Sequence, residues 1–218
     1  MSWRTCVSLE DRLNFVVQAM HEKIRNQSGA ESIPTVDYGW DNYRYASPLF
    51  RQAHVEKYFQ DGMMVVHTTC FPHSDSTAPI FGFDVVAAAK SEKILGYFLD
   101  WSPITTDENW HDTNWEGERI LPEWATVFSK QFIALRPIKE DYCDLLNYAI
   151  SSFSNYLYML EHTEKVFELD VQESIVAKQN EYCRKQSQNP RTFAALKHKI
   201  GEEKTRFFMK NVLFPQIS

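Results

Sequence analysis

Glycine and proline are sparse in this chain, seven and nine among 218 residues, which excludes collagen-like and low-complexity disordered architectures. Cysteine is sparser still. Cys6, Cys70, Cys143 and Cys183 are scattered without a CxxC pair, so free thiols in a reducing compartment are expected rather than a metal centre built from cysteine. No apolar run reaches the ~20 residues of a membrane span, and Met1 to Leu9 lacks the basic start and apolar core of a signal peptide. Neither GxGxxG nor GxxxxGKS/T occurs, which leaves no recognisable seat for a nucleotide cofactor. A net charge of −6 argues against general nucleic-acid binding. These absences leave a soluble, cytoplasmic protein, expected to be a monomer, with neither nucleic acid nor membrane as partner.

What is present suffices for a sizeable core: 44% of residues are hydrophobic and 14% aromatic, and the length suits a single α/β domain over 1–218. Ser8-Leu9-Glu10-Asp11 reads as a helix start, with Leu13, Val16, Val17, Met20 and Ile24 following at helical spacing. Asn26 to Pro34 reads as a loop and Tyr38 to Ser47 as a strand candidate, while the segment around His54-Val55-Glu56 fits helix or strand. The apolar runs from Met63 to Phe71 and from Ile80 to Val86 predict buried strands. Lys93 to Trp101 and Gln131 to Arg136 predict two more, separated by a polar surface excursion from Pro103 to Glu123. Lys139 to Thr163 predicts a helix with Tyr142, Leu145, Leu146, Ala149, Phe153, Tyr156, Leu157 and Leu160 inward. Val171 to Gln186 predicts a second helix and Thr192 to Leu213 a third. Helix, strands, then helices predict a three-layer α/β/α sandwich with a central antiparallel sheet flanked by helices. The connections Phe71-to-Ile80 and Ala89-to-Lys93 are too short for the crossover that a parallel pair needs.

Two residues interrupt the apolar runs. His67 and Asp84 each stand mid-strand where an aliphatic side chain is expected, a costly placement unless they are paired, and one that points to proton chemistry. With Phe71 opposite Ile80 across an antiparallel hairpin, His67 falls opposite Asp84, their Cβ atoms ~4.5–5.5 Å apart on one face. A slip of one residue would send them to opposite faces. The charge is also uneven: from Arg184 to Ser218 eight basic residues face Glu202 and Glu203, a local +6 that leaves −12 for the remainder. That stretch is either an ordinary solvated helix face or a docking patch for an acidic partner.

Beyond these patterns, the combination of Arg51-Gln52-Ala53-His54-Val55-Glu56, Val66-His67, Cys70-Phe71-Pro72 and Pro79-Ile80-Phe81-Gly82-Phe83-Asp84 is specific. With Asp100-Trp101-Ser102-Pro103, Leu121-Pro122-Glu123-Trp124, Leu135-Arg136-Pro137, Tyr182-Cys183 and Val212-Leu213-Phe214, it resembles the ferredoxin-dependent bilin reductases, from about Tyr43 to the C-terminus. The nearest branch is that of phycocyanobilin:ferredoxin oxidoreductase. The resemblance implies reduction of biliverdin IXα by single electrons from reduced ferredoxin, without a tightly bound cofactor or metal. It also implies an α/β/α sandwich with the bilin between the sheet and the C-terminal helices, and with ferredoxin as the partner the basic C-terminal face is the expected docking patch.

By the same resemblance, Asp84 is the central proton donor, its proton held by burial against Phe81, Phe83 and the bilin. His67 matches an active-site histidine that relays protons with it. Glu56 matches a glutamate that protonates the outer vinyl group in the phycocyanobilin branch, and His54 a supporting histidine. Arg136 and Arg191, with Ser102 nearby, fall where relatives hold the propionates, a task suited to the planar guanidinium fork. One departure stands out: many relatives place a second aspartate at the helix entry that here reads Gln188-Asn189-Pro190-Arg191, where Pro190 cannot donate a proton and Asn189 remains as a hydrogen-bonding neighbour.

The short N-terminus, the length and Pro190 resemble a viral offshoot of that branch, so the expected product is phycoerythrobilin, formed through 15,16-dihydrobiliverdin, in the cytoplasm of an infected cyanobacterium. Phycocyanobilin is the alternative product and a non-catalytic bilin carrier a distant one. A metal-dependent hydrolase using His67, Cys70 and His73 is disfavoured, because strand positions three apart face opposite sides.

Overall fold

In the computed structural model, which describes residues 7–104 and 126–218, Ser8 caps the first helix, α1 (Leu9–Arg25). Its hydroxyl accepts the Asp11 N–H at 3.1 Å, Glu10 and Asp11 occupy the positive end of the helix, and Lys23 and Arg25 the negative end. The five residues expected at helical spacing are all buried. Cys6, most of the expected excursion and the Leu121 to Trp124 motif lie outside the described residues.

Among the described residues seven strands follow: β1 (Glu31–Ser32), β2 (Asp41–Ala46), β3 (Phe50–Gln60), β4 (Met63–Pro72), β5 (Ile80–Ala88), β6 (Lys93–Ser102) and β7 (Ile133–Leu135). They pair in chain order, each antiparallel to its neighbours, as the short connections from β3 to β6 require. The tightest turn joins β3 to β4 through Asp61 and Gly62, both left-handed at φ 54° and 77°, the backbone that an Asp-Gly pair suits. The ambiguous His54 segment is strand β3, and a two-residue strand, β1, lies within the stretch expected to be loop.

Helix α2 (Tyr142–His162) buries all eight residues expected to face inward, and α3 (Leu169–Gln186) matches the second expected helix. The third does not run unbroken from Thr192 to Leu213. Gly201, at φ 81°, divides it into α4 (Pro190–Ile200) and α5 (Glu202–Phe208), and a π-helical turn, Met209–Leu213, follows. A left-handed glycine closes a helix, which is why the periodicity on either side does not join. Among the described residues, no helix is long and apolar enough to cross a membrane.

Alternation along the strands gives the sheet two faces. Phe81, Phe83, Val85, Tyr97, Leu99 and Trp101 pack with α1 and α2. On the opposite face Phe71 and Ile80 pack with Ile175 and Tyr182 of α3, Phe208 of α5 and the terminal segment through Phe214. Two buried amides tie this second layer down: Gln52 donates to the Val212 carbonyl at 2.8 Å, and Gln179 to that of Pro72 at 3.1 Å.

Candidate active site

The register aligns side chains in transverse rows on the face beneath α3 to α5. One row runs Asn42, Glu56, His67, Asp84, Phe98 and Ala134 across six strands. The next runs Arg44, His54, Thr69, Gly82 and Asp100. The expected pairing of His67 with Asp84 is therefore realised, and the Nδ1 of His67 lies 2.7 Å from the Asp84 carboxylate. Glu56, opposite His67 on the other side, completes a line of three titratable groups.

Their environments differ sharply. Glu56 is 6% exposed, and burial raises its pKa to about 7, against smaller pulls downward from His67 and from the nearby Trp40 N–H. Burial opposes a charged His67, but the charge and hydrogen bond of Asp84, with Glu56 beyond, outweigh it and hold the ring above its ordinary pKa. His54 is fully buried; desolvation, then the charges of His67 and Arg44, push its pKa well down and keep it neutral. Its Nε2 lies 2.6 Å from Asn42 Oδ1, and Asn42 donates its own amide to the Val36 carbonyl at 3.3 Å. That arrangement puts the His54 proton on Nε2 and leaves Nδ1 as an acceptor. The two imidazoles are 5.6 Å apart. Phe208 meets His54 edge-on at 6.4 Å and Phe214 meets His67 at 6.2 Å. Among the described residues, neither His54 Nδ1 nor His67 Nε2 has a partner.

Asp84 corrects one expectation. Its side chain is 42% exposed, and Phe81 and Phe83, which were to bury it, project to the other face of the sheet. Odd and even positions cannot share a face on a strand, so its site-side neighbours are His67 and Phe98. Within the protein the buried carboxylic acid of this row is Glu56.

The other expected residues sit apart from this quartet. Ser102 is buried and donates to Asp100. Asn189 caps α4, accepting the N–H groups of Arg191 and Thr192 at 3.0 and 3.4 Å, and Pro190 fits the first turn, where its missing N–H is harmless. Arg191 is the second residue of that helix and Arg136 follows β7; both are exposed. The metal alternative fails on geometry: Cys70 joins the opposite core, and His73 contacts the Ser47 carbonyl at 2.8 Å.

Sequence reasoning placed Asp100 and Tyr182 in matching motifs but gave neither a role in the site. Asp100, 1% exposed, accepts from Ser102 and from the Ser129 N–H and hydroxyl, and burial carries its pKa to about 6 against those bonds. The Tyr182 hydroxyl lies over Gly82, where a side-chain Cβ would meet it at 3.4 Å, and feels the charges of Asp100 and Asp84. Asp100 was legible by the argument that found Asp84, a carboxylate alternating with apolar residues on a strand. Tyr182 stood only in the Tyr182-Cys183 motif, with no pattern of its own to mark it as a site residue.

The family model of ferredoxin-dependent bilin reductase matches residues 7–215. Similar curated proteins are phycocyanobilin:ferredoxin oxidoreductases: that of Trichodesmium erythraeum is 26% identical over 79% of this chain and 75% of its own length. That of Prochlorococcus marinus is 24% identical over 93% of this chain and 91% of its own length. Among solved structures, the fold is similar to that of a protein named PcyX, with a TM-score of 0.64 at 20% identity, covering 96% of this chain and 98% of that one. It is also similar to phytochromobilin synthase from tomato in complex with biliverdin, with a TM-score of 0.72 at 16% identity, covering 95% of this chain and 83% of that one.

Proposed function

The chain belongs to the ferredoxin-dependent bilin reductase family, and we propose that it reduces biliverdin IXα to phycoerythrobilin through 15,16-dihydrobiliverdin, with the row Glu56, His67 and Asp84 supplying protons. The enzyme class is that of the family: an oxidoreductase acting on bilins, with ferredoxin as external electron donor. Each of the two reductions takes two electrons and two protons, so four protons must reach carbon or nitrogen of the pigment. With ferredoxin supplying electrons one at a time, the protein contributes position, electrostatics and protons.

The observation that carries this reading is the row itself: three coupled acid–base groups, one open and two buried, on the face that the C-terminal helices cover. The open flank of Asp84 is where a flat conjugated pigment would complete the burial of its carboxyl. His54, neutral with its Nδ1 lone pair unpartnered, and the unpartnered His67 Nε2 support assigning lactam groups to these two side chains. Arg136 and Arg191, both exposed, are assigned to the propionates, with Ser102 and Asn189 in support.

Pro190, at a helix entry without a carboxylate, favours phycoerythrobilin. One observation favours phycocyanobilin instead: Glu56, buried with a pKa near neutrality, is a ready acid for the outer vinyl group. An absorbance time course with biliverdin, reduced ferredoxin and an electron source decides between them. Early saturation of the 15,16 bridge shortens the conjugation and moves the band to the blue, as the phycoerythrobilin route requires; a first product without that shift supports phycocyanobilin. A bound but unchanged spectrum marks a carrier and removes both.

Ferredoxin docking is assigned to α4 and α5. Lys197 and Arg206 are ion-paired with Glu202, and Lys199 with Asp61. Arg184, Arg191, Lys204 and Lys210 have no ion-pair partner among the described residues and provide the excess charge. A single-domain monomer acting in the cytoplasm of an infected cyanobacterium completes the proposal.

A further inference from the structure

Glu56 has a neighbour that no sequence motif pointed to. Trp40 precedes β2 by one residue and lies two positions before Asn42, which pairs with Glu56, so it falls on the same side of the sheet. The preceding turn fixes its approach. Asp37 accepts the Gly39 N–H at 2.8 Å, Gly39 takes φ 91°, and Gln60 donates to the Gly39 carbonyl. The indole then wedges between Tyr38, Tyr58 and Phe208, with ring centroids 5.5–5.7 Å away. It is 8% exposed, and its N–H, buried and without a closed hydrogen bond among the described residues, lies close enough to Glu56 to act on its charge.

A buried donor left open beside a buried acid is costly unless the acid at some stage becomes an anion. We infer that Trp40 is a positioning residue for the Glu56 proton, its indole N–H closing on the carboxylate once that proton has left. The other groups facing Glu56 do not replace it. Asn42 is engaged with His54 and Val36, His67 with Asp84, and of the two buried residues of α5 Phe208 is apolar and Thr205 donates to the Gly201 carbonyl. On its own strand, His54 is neutral and Tyr58 donates to Asp61, whose other partner is Lys199. The inference deepens the reading of Glu56 as a proton donor and rests on it.

The test is the Glu56 carboxyl band in infrared titration of the substrate-free protein, assigned by its loss in Glu56→Gln. Trp40→Phe, which keeps the aromatic packing and deletes the N–H, is expected to raise the midpoint by about one to two units, the effect of one hydrogen bond to a charged group. An unmoved midpoint overturns the inference. In the unaltered protein, the Trp40 indole ¹⁵N–¹H resonance is expected to move downfield as Glu56 titrates and to stay still in Glu56→Gln; a resonance indifferent to pH also overturns it. Neither measurement needs bilin or ferredoxin. Turnover by Glu56→Gln tests the catalytic reading separately, so the two can fail independently.

Discussion

On the face that α1 and α2 cover, a transverse row of the sheet reads Tyr43, Val55, Thr68, Phe83, Leu99 and Ile133; one residue along, beneath α3 to α5, it reads Asn42, Glu56, His67, Asp84, Phe98 and Ala134. The same strands, read at odd or even positions, build an apolar core and a line of acids and bases. The difference separates stability from chemistry. Apolar burial on the first face, with Phe153 against Phe81 at 4.8 Å and Tyr156 bonded to the Pro79 carbonyl at 3.0 Å, holds the strands in register. That register lets the second face keep groups whose burial is unfavourable on its own. A cavity of about 20 Å³ between α1 and α2, beside Arg12 and Cys143, is large enough for a water at most and lies on the stability side.

The largest effect expected from breaking the chemical face is that of Asp84→Asn. It should retain biliverdin and lower turnover by about 10²–10⁴-fold, the usual contribution of a positioned acid. In the same variant the His67 ring, measured by NMR titration, should lose the support that raises its pKa and titrate lower. Normal turnover would remove Asp84 from its role. On the other face, Phe153→Ala should cost about 3–5 kcal/mol of stability in urea unfolding while leaving the His67 titration in place. A moved titration would mean that the faces are not separable.

Glu56→Gln sharpens the comparison through pH. The folded protein raises this carboxyl from its ordinary 4.5 to about 7, so its contribution favours folding at low pH and is lost as pH rises through the folded value. The variant should match the parent at about pH 4 and be more stable by on the order of 2 kcal/mol at about pH 8, as read from urea midpoints. Equal stability at both would contradict the burial of a charge there. The smallest effect is expected on the surface: reversing Lys204 and Lys210 should weaken ferredoxin coupling a few-fold at low ionic strength and hardly at all in high salt. Kinetics unaffected at low salt would move the docking face elsewhere.

Much of this arrangement was legible because the side-chain period of a strand is two. His67 and Asp84 announced themselves as interruptions of apolar runs, and the short hairpin joining them limited the register. Strand β3 was ambiguous for a related reason: both its faces are covered, so Gln52 through Glu56 are all buried and the alternation disappears from the sequence. The surroundings of Asp84 were misjudged where closeness along the chain stood in for closeness in space; Phe83 is its neighbour in sequence and lies across the sheet from its carboxylate.

By itself the sequence determined which residues alternate, where helices begin, and which strands are joined too tightly to be anything but antiparallel, since these depend on local backbone geometry and short connections. Only the tertiary structure decided that Glu56 rather than Asp84 is the buried acid, that Trp40 attends it, and that the last helix breaks at Gly201 so that Phe208 and Phe214 reach the two histidines. Burial and partnership are properties of what packs from elsewhere in the chain. An acid's pKa depends on that packing, and no stretch of neighbouring residues encodes it.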